Sequence, residues 1–246
     1  MILRLEKLGK SFGGVRAIQD VSLEVPRGAI IGIIGPNGAG KTTLFNLING
    51  VLRPDSGRVL FADRDITGLP PYRIARRGLA RTHQVVRPLM DLTVRQNAMV
   101  GACFGRERLR GRAAAAAADE ILELVELRAR GGQLAGTLNL AEKKRLEMAR
   151  ALAARPHLLL LDETLAGLNP VEVAQMLAII RRVRAQGLTV LMIEHVMQAV
   201  TSVSDTIVVL EAGAIIAAGA PTEVTANPRV IEAYLGDPRA LQELLA

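Results

Sequence analysis

The residues whose types and spacing can do chemistry begin with Gly35-Pro36-Asn37-Gly38-Ala39-Gly40-Lys41-Thr42-Thr43. Gly35 and Gly40, followed at once by Lys41 and Thr42, have the spacing of a phosphate-binding loop. Glycine lets the backbone turn tightly and bring its N–H groups close to phosphate oxygens. Lys41 offers a cation to the β- and γ-phosphates of a bound nucleotide, and Thr42 a hydroxyl to Mg²⁺. The loop follows the β-branched run Ile30-Ile31-Gly32-Ile33-Ile34 and precedes Leu44, Leu47 and Ile48 at helical spacing. A strand, a loop and a helix are therefore predicted, in the order such a loop needs. The helix N-terminus adds roughly half a positive charge at the same place. The plainer alternative is a glycine-rich turn with a chance lysine.

A second set of chemical groups closes the run Leu158-Leu159-Leu160-Leu161 with Asp162-Glu163. Four consecutive leucines suit a strand buried on both faces of a parallel sheet. Its carboxyl end is where ligands bind in α/β proteins. Two carboxylates there are costly without a positive partner, which disfavours a merely solvated acidic turn. Asp162 would hold the metal, directly or through water. Glu163 would orient or deprotonate a water attacking the γ-phosphate. Residues 189–194 repeat the pattern and end at His195, placed to hydrogen-bond the γ-phosphate or that water. A lone histidine is otherwise structural, as His83 and His157 are read. Gln84 is either a Mg²⁺ ligand and sensor or an ordinary loop glutamine. Phe12 either stacks on a nucleotide base or is a half-buried strand residue.

Other elements must position these groups. Residues 2–25 read as strands around a turn at Gly13-Gly14, and residues 58–62 as another. Residues 98–135 read as mainly helical. The alanine-rich residues 113–118 suggest a surface or linker helix, because alanine is the best helix former. Gly131-Gly132 is expected to end it, and the basic residues 106–112 before it to form a mobile loop. Residues 141–155 form a helix with Leu146, Ala149, Leu152 and Ala153 on one side. Lys143, Lys144, Arg145 and Arg150 are its expected wet face. Residues 170–186 form a helix, residues 206–218 a hairpin, and helical segments run to the C-terminus. Strands and helices alternating around a phosphate-binding loop predict an α/β fold with a parallel sheet.

Composition bounds the alternatives. The chain has 246 residues, half of them hydrophobic, with no Trp, two Tyr and four Phe. The core is therefore expected to be Leu, Ile, Val and Ala. No apolar run approaches the roughly 18 residues of a membrane span. One cysteine, Cys103, excludes an internal disulfide and a Cys-rich metal site. The charged residues near Met1 leave no signal-peptide run. These points favour a reducing, intracellular compartment. The net charge is +7, and the Arg and Lys residues are spread, with clusters at residues 73–81, 106–112 and 143–150. No aromatics are interleaved to stack on bases, so no nucleic acid partner is expected. A solvated basic surface is the plainer reading, and a surface near anionic lipid would also use this charge.

With these residues assembled, the chain resembles the ATP-binding subunits of ABC transporters over nearly its whole length. Residues 35–43 look like the Walker A motif, residues 158–162 the Walker B motif and Glu163 the catalytic glutamate. Gln84 matches the Q-loop, His195 the switch histidine and Phe12 the base-stacking aromatic. Ser-Phe-Gly-Gly-Val-Arg-Ala at 11–17, Ala-Gly-Leu-Asn-Pro at 166–170 and Ile-Glu-His-Val-Met at 193–197 narrow the branch. So does Asn-Pro-Arg-Val-Ile-Glu-Ala-Tyr-Leu-Gly at 227–236. Together they are similar to the larger ATPase subunit of branched-chain amino-acid importers. The closing pattern is shared with relatives that move urea or lipopolysaccharide.

The resemblance implies a single P-loop NTPase domain over residues 1–246. It would have a parallel-sheet core, an N-terminal antiparallel β subdomain and a helical subdomain at about 86–155. ATP and Mg²⁺ are the implied cofactors, with Thr42, Gln84 and Asp162 around the metal. The implied partners are transmembrane permease subunits, a second ATP-binding subunit and, indirectly, a solute-binding protein. The implied place is the cytoplasmic face of the inner or plasma membrane. In such a dimer each nucleotide also meets the other subunit's signature motif. Here that motif falls on Leu138-Asn139-Leu140-Ala141-Glu142, with Leu140 and Ala141 in place of glycines. Asn139 keeps a donor for phosphate. Other readings are an exporter-type ATPase, a ribosome- or DNA-directed ABC protein, and a regulatory module that binds nucleotide without hydrolysis.

Overall fold

The structure is a computed structural model and describes residues 1–235. Gly236 of the closing pattern, and the helical segments expected beyond it, lie outside the described residues. The chain divides into two compact units, Met1–Pro71 with Thr189–Ala246, and Tyr72–Leu188. The first opens with β1 (Leu3–Phe12), β2 (Val15–Val25), β3 (Ile30–Ile34), α1 (Lys41–Ile48), β4 (Ser56–Phe61) and β5 (Arg64–Asp65). Then come α2 (Pro71–Arg76), β6 (Leu79–Arg81), α3 (Val94–Phe104), α4 (Gly111–Leu124), α5 (Leu140–Ala153), β7 (Leu158–Asp162) and α6 (Pro170–Ala185). The chain returns to the first unit with β8 (Thr189–Ile193), α7 (Met197–Val203), β9 (Thr206–Glu211), β10 (Ala214–Gly219), α8 (Pro221–Thr225) and α9 (Pro228–Leu235).

In the first unit, β2, β1, β4 and β5 form an antiparallel sheet in that order. Gly13, at a φ of 56°, takes the left-handed turn between β1 and β2 that an L side chain would resist. β3 runs parallel to β8 on one side and to β9 on the other, and β10 pairs antiparallel with β9. All five residues of β3 and of β8 are buried, as runs without alternation require in a strand covered on both faces. Asp205 starts β3 by accepting a hydrogen bond from Ile30 N at 2.8 Å. Ile34, Met197, Val200, Ile207, Val209 and Val230 form an aliphatic cluster around α7 and the C-terminal helices.

In the second unit, β6 and β7 pair in parallel, and α3 packs on α4 and α5. Gly101 makes that packing possible, because a Cβ there would lie 1.9 Å from Arg150 O. α3 and α5 each begin with reciprocal caps, Thr93 with Gln96 and Asn139 with Glu142. The alanine run departs from expectation. Ala114, Ala117 and Ala118 are buried, so α4 is a packed helix whose small side chains admit close neighbours. It ends at Leu124, and a 3₁₀ turn, Arg128–Arg130, separates it from the two glycines. Lys144 is buried as well and does not belong to a wet face. The basic segment after α3 is tied at its start, where Arg106 Nε donates to Arg155 O at 2.9 Å.

Candidate functional site

The phosphate-loop sequence folds as a turn between β3 and α1. Gly35, Gly38 and Gly40 have φ of 151°, 82° and 99°. A Cβ at Gly35 would lie 2.0 Å from Leu210 O, and one at Gly40 2.4 Å from Ala17 O. Both glycines are thus dictated by close backbone approach as well as by dihedral angle. The β9–β10 turn braces the loop, with Gly213 N donating to Ala39 O at 3.0 Å. Lys41 is 6% exposed, and its Nζ donates to Gly35 O at 2.6 Å and Pro36 O at 3.1 Å. Its charge is therefore held inside the loop by the loop's own carbonyls. Gly40 is the N-cap of α1 and has no side chain to accept from the first turn. Those N–H groups suit an outside anion. Asn37, Gly38 and Thr42 are exposed, Pro36 and Thr43 half-buried, and Ala39 buried.

Phe12 closes β1 with its ring 47% exposed and Lys10 Nζ 5.6 Å from the ring centroid. Phe12 is thus exposed and not half-buried. Asp55, which ties down Lys10 at 2.7 Å, is held below the usual carboxylate range by that hydrogen bond and one from Ser11 N. His195 is exposed in the bend after β8.

The second unit gathers a polar cluster where β6 and β7 end. Arg81 lies opposite Leu160 in the β6–β7 register, and its guanidinium donates to Asp162 Oδ2 at 2.6 Å. The two side chains are 7% and 3% exposed. This is the positive partner that a buried carboxylate demands. Asp162 Oδ1, also buried, meets no hydrogen-bond partner among the described residues. Thr82 Oγ1 accepts from Asp162 N at 3.3 Å and lies 3.4 Å from Thr164 Oγ1. Beyond the strand end, Glu163 adopts a left-handed φ of 48°. Gln84 Nε2 donates to its Oε2 at 2.5 Å, and Lys144 Nζ donates to its carbonyl oxygen at 3.1 Å. His83, in the same segment, has its pKa lowered from about 6.5 by burial and then by the Arg81 charge, so its ring is neutral at pH 7.

Asn139 is the N-cap of α5. Its Oδ1 accepts from Glu142 N at 2.8 Å, and Glu142 Oε2 accepts from Asn139 N at 3.0 Å. The donating end of the Asn139 side chain is its Nδ2. Leu140, next along the chain, is 49% exposed.

The structure thus joins Gln84 to Glu163 and gathers residues 35–43 around Lys41. Sequence reading passed over two participants. Arg81 was announced only by the need for a cation beside Asp162. Lys144 carried no signal, because a lysine in an amphipathic helix reads as solvated.

As donors for a divalent cation, the residues fit. In the second unit Asp162 Oδ1 is an orphaned buried oxygen and Gln84 keeps its Oε1; in the first, Thr42 is an exposed residue of the phosphate loop. No cluster of three or more His, Cys, Asp or Glu occurs among the described residues. A cation here would depend on substrate phosphates for further ligands. No helix among the described residues is long and apolar enough to cross a membrane.

Comparison with known proteins gives these geometries a context. The family model described as "ABC transporter" matches residues 18–166, and one described as "Branched-chain amino acid ATP-binding cassette transporter" matches residues 214–240. The high-affinity branched-chain amino acid transport ATP-binding protein BraF of Pseudomonas aeruginosa is 40% identical, over 96% of this chain and 98% of its own. The corresponding Escherichia coli protein, LivG, is 38% identical over the same shares of the two chains. Among solved structures, the ADP conformation of an ATP-binding cassette of an ABC transporter superposes with a TM-score of 0.88. It is 34% identical and covers 96% of this chain and 99% of its own.

Proposed function

The chain belongs to the ABC transporter family as an ATP-binding, ATP-hydrolysing subunit, and from that premise we propose that it powers import of branched-chain amino acids. The match of residues 214–240 to the branched-chain amino acid model supports this cargo class. We propose that the phosphate loop, Asp162, Glu163 and His195 serve one ATP. We also propose that the chain works at the cytoplasmic membrane face with permease subunits, a second ATP-binding subunit and, through the permease, a solute-binding protein.

The observation that carries the chemistry is the pair at the end of β7, one carboxylate anchored by Arg81 with an orphaned oxygen, the next held by Gln84 and Lys144. Phe12 stacks on the base, and the N–H groups of residues 38–43 bind phosphate oxygens. Lys41 exchanges the carbonyls of Gly35 and Pro36 for the β- and γ-phosphate oxygens. Thr42, Asp162 and Gln84 would hold Mg²⁺, which when bound supplies charge neutralisation across the β- and γ-phosphates. Glu163 aligns a water for attack on the γ-phosphorus and accepts its proton as the bond to the bridging oxygen breaks. His195 donates a hydrogen bond to the departing γ-phosphate.

The α5 cap supports a division of labour between two subunits. Glu142 places a carboxylate at the helix N-terminus, where a partner's phosphate would otherwise be attracted. Leu140 adds a side chain there. On this reading the ATP bound by this chain's own loop turns over, and the site facing Asn139 and Glu142 is the weaker one.

The test is Glu163→Gln beside Lys41→Ala, read by ATP turnover and by nucleotide binding. Glu163→Gln is expected to retain binding and lose turnover by about a hundredfold or more, whereas Lys41→Ala loses both. Turnover unchanged in Glu163→Gln overturns the assignment.

A further inference from the structure

The second unit carries a dense cationic surface that the nucleotide chemistry does not use. Residues 72–77 and 104–113 contain seven arginines against one carboxylate, Glu107, which Arg106 holds at 2.9 Å. On α2 and just beyond it, Arg73, Arg76 and Arg77 are exposed. Arg108, Arg110 and Arg112 are exposed on the segment leading into α4. The two stretches adjoin, because a Cβ on Gly78, next to Arg77, would lie 3.3 Å from Arg106 Cδ. The second stretch is folded and not a loose tail. Arg106 is fixed to Arg155 O, and Leu109 N donates to Ala102 O at 3.0 Å.

Each stretch also carries an exposed aromatic side chain. Tyr72 is 55% and Phe104 71% exposed. The guanidinium carbons of Arg73 and Arg76 lie 5.9 and 5.4 Å from the Tyr72 ring centroid. Arginine forks pair with phosphate in two-pronged fashion, and their charge persists at any working pH. Clusters of four to eight basic residues suit anionic lipid headgroups. Exposed aromatic rings suit the boundary between headgroups and acyl chains. The Tyr72 ring already has arginine neighbours. A row of bare rings for unstacked bases is not what this face presents.

We propose that the surface formed by α2 and residues 104–113 binds the headgroups of an anionic phospholipid bilayer, with the arginines on lipid phosphates and Phe104 seated at the boundary. This contact is independent of nucleotide, so it stands or falls separately from the assignment of ATP chemistry.

The experiment is flotation of the full chain with vesicles of phosphatidylcholine, with or without 30% phosphatidylglycerol, at about 0.1 and 0.5 M salt. Binding is expected only to the anionic vesicles and is expected to be lost at the higher salt. Arg108, Arg110 and Arg112 changed together to Gln should weaken partitioning by about a hundredfold, near fivefold per arginine, with ATP binding unchanged. Arg73→Gln with Arg76→Gln provides a second variant should the first fail to fold. Phe104→Ala should weaken partitioning without altering its salt dependence. Equal binding to both vesicle types, no binding to either, or tighter binding to duplex DNA than to anionic vesicles overturns the proposal. So does wild-type partitioning by a folded arginine variant.

Discussion

Lys144 shows what one misplaced reading of a side chain conceals. Its helical spacing assigns it to a wet face, yet it is 4% exposed with Nζ 3.1 Å from Glu163 O. A buried ammonium needs oxygen acceptors, and a glutamate in the left-handed region needs its backbone held. The two requirements meet in one hydrogen bond. Lys144→Met is therefore expected to lower kcat for ATP by tenfold to a hundredfold, on the order that small displacements of a catalytic group cost. The KM for ATP should stay within about twofold, because Lys144 does not belong to the phosphate loop, and a loss confined to KM would refute the role. Asp162 taught the opposite lesson. Its need for a cation was legible from Leu158-Leu159-Leu160-Leu161-Asp162 alone. The identity of that cation was not, because Arg81 reaches it only through the β6–β7 register.

Among the elements, legibility followed periodicity. β3, β7 and β8 were readable because uninterrupted aliphatic runs bounded by turn residues have few other solutions. The phosphate loop was readable because glycine spacing reports φ directly, as Gly35 and Gly40 confirm. α4 was misjudged because helix propensity says that alanine forms a helix, not which side of it is covered. Ala114 and Ala118 are fully buried, a tertiary fact without a local signature. The packing of α3 on α5 was equally invisible, since Gly101 reads as a weak point in a helix. It is instead where Arg150 O comes within 1.9 Å of the place a Cβ would occupy. Gly101→Ala should therefore destabilise the protein by about 3 kcal/mol, at the upper end for overpacking, lowering the urea midpoint. Gly132→Ala, which meets nothing within 4 Å, is the matched control and should leave it unchanged.

At the scale of the whole molecule, the α5 cap makes the proposed ATP sandwich a question of which chain is the second subunit. On the proposed reading, Glu142, which caps Asn139 N, and the exposed Leu140 would oppose phosphate at the surface a partner offers its nucleotide to. Two copies of this chain would each present that flaw, whereas one copy and a sister subunit present it once. Light scattering of Glu163→Gln with ATP and Mg²⁺ is expected to show a monomer alone and a dimer with the sister subunit. A stable homodimer would show that the capped helix serves phosphate after all. The left-handed Glu163 has a different reach. An L side chain there carries a conformational penalty of roughly 1 kcal/mol that glycine escapes. Breeding this enzyme for endurance in heat would therefore reward the codon change from glutamate to glycine. With the proposed role of Glu163, the survivors would be sturdier and inert, and a screen that counts folded molecules would rank them first.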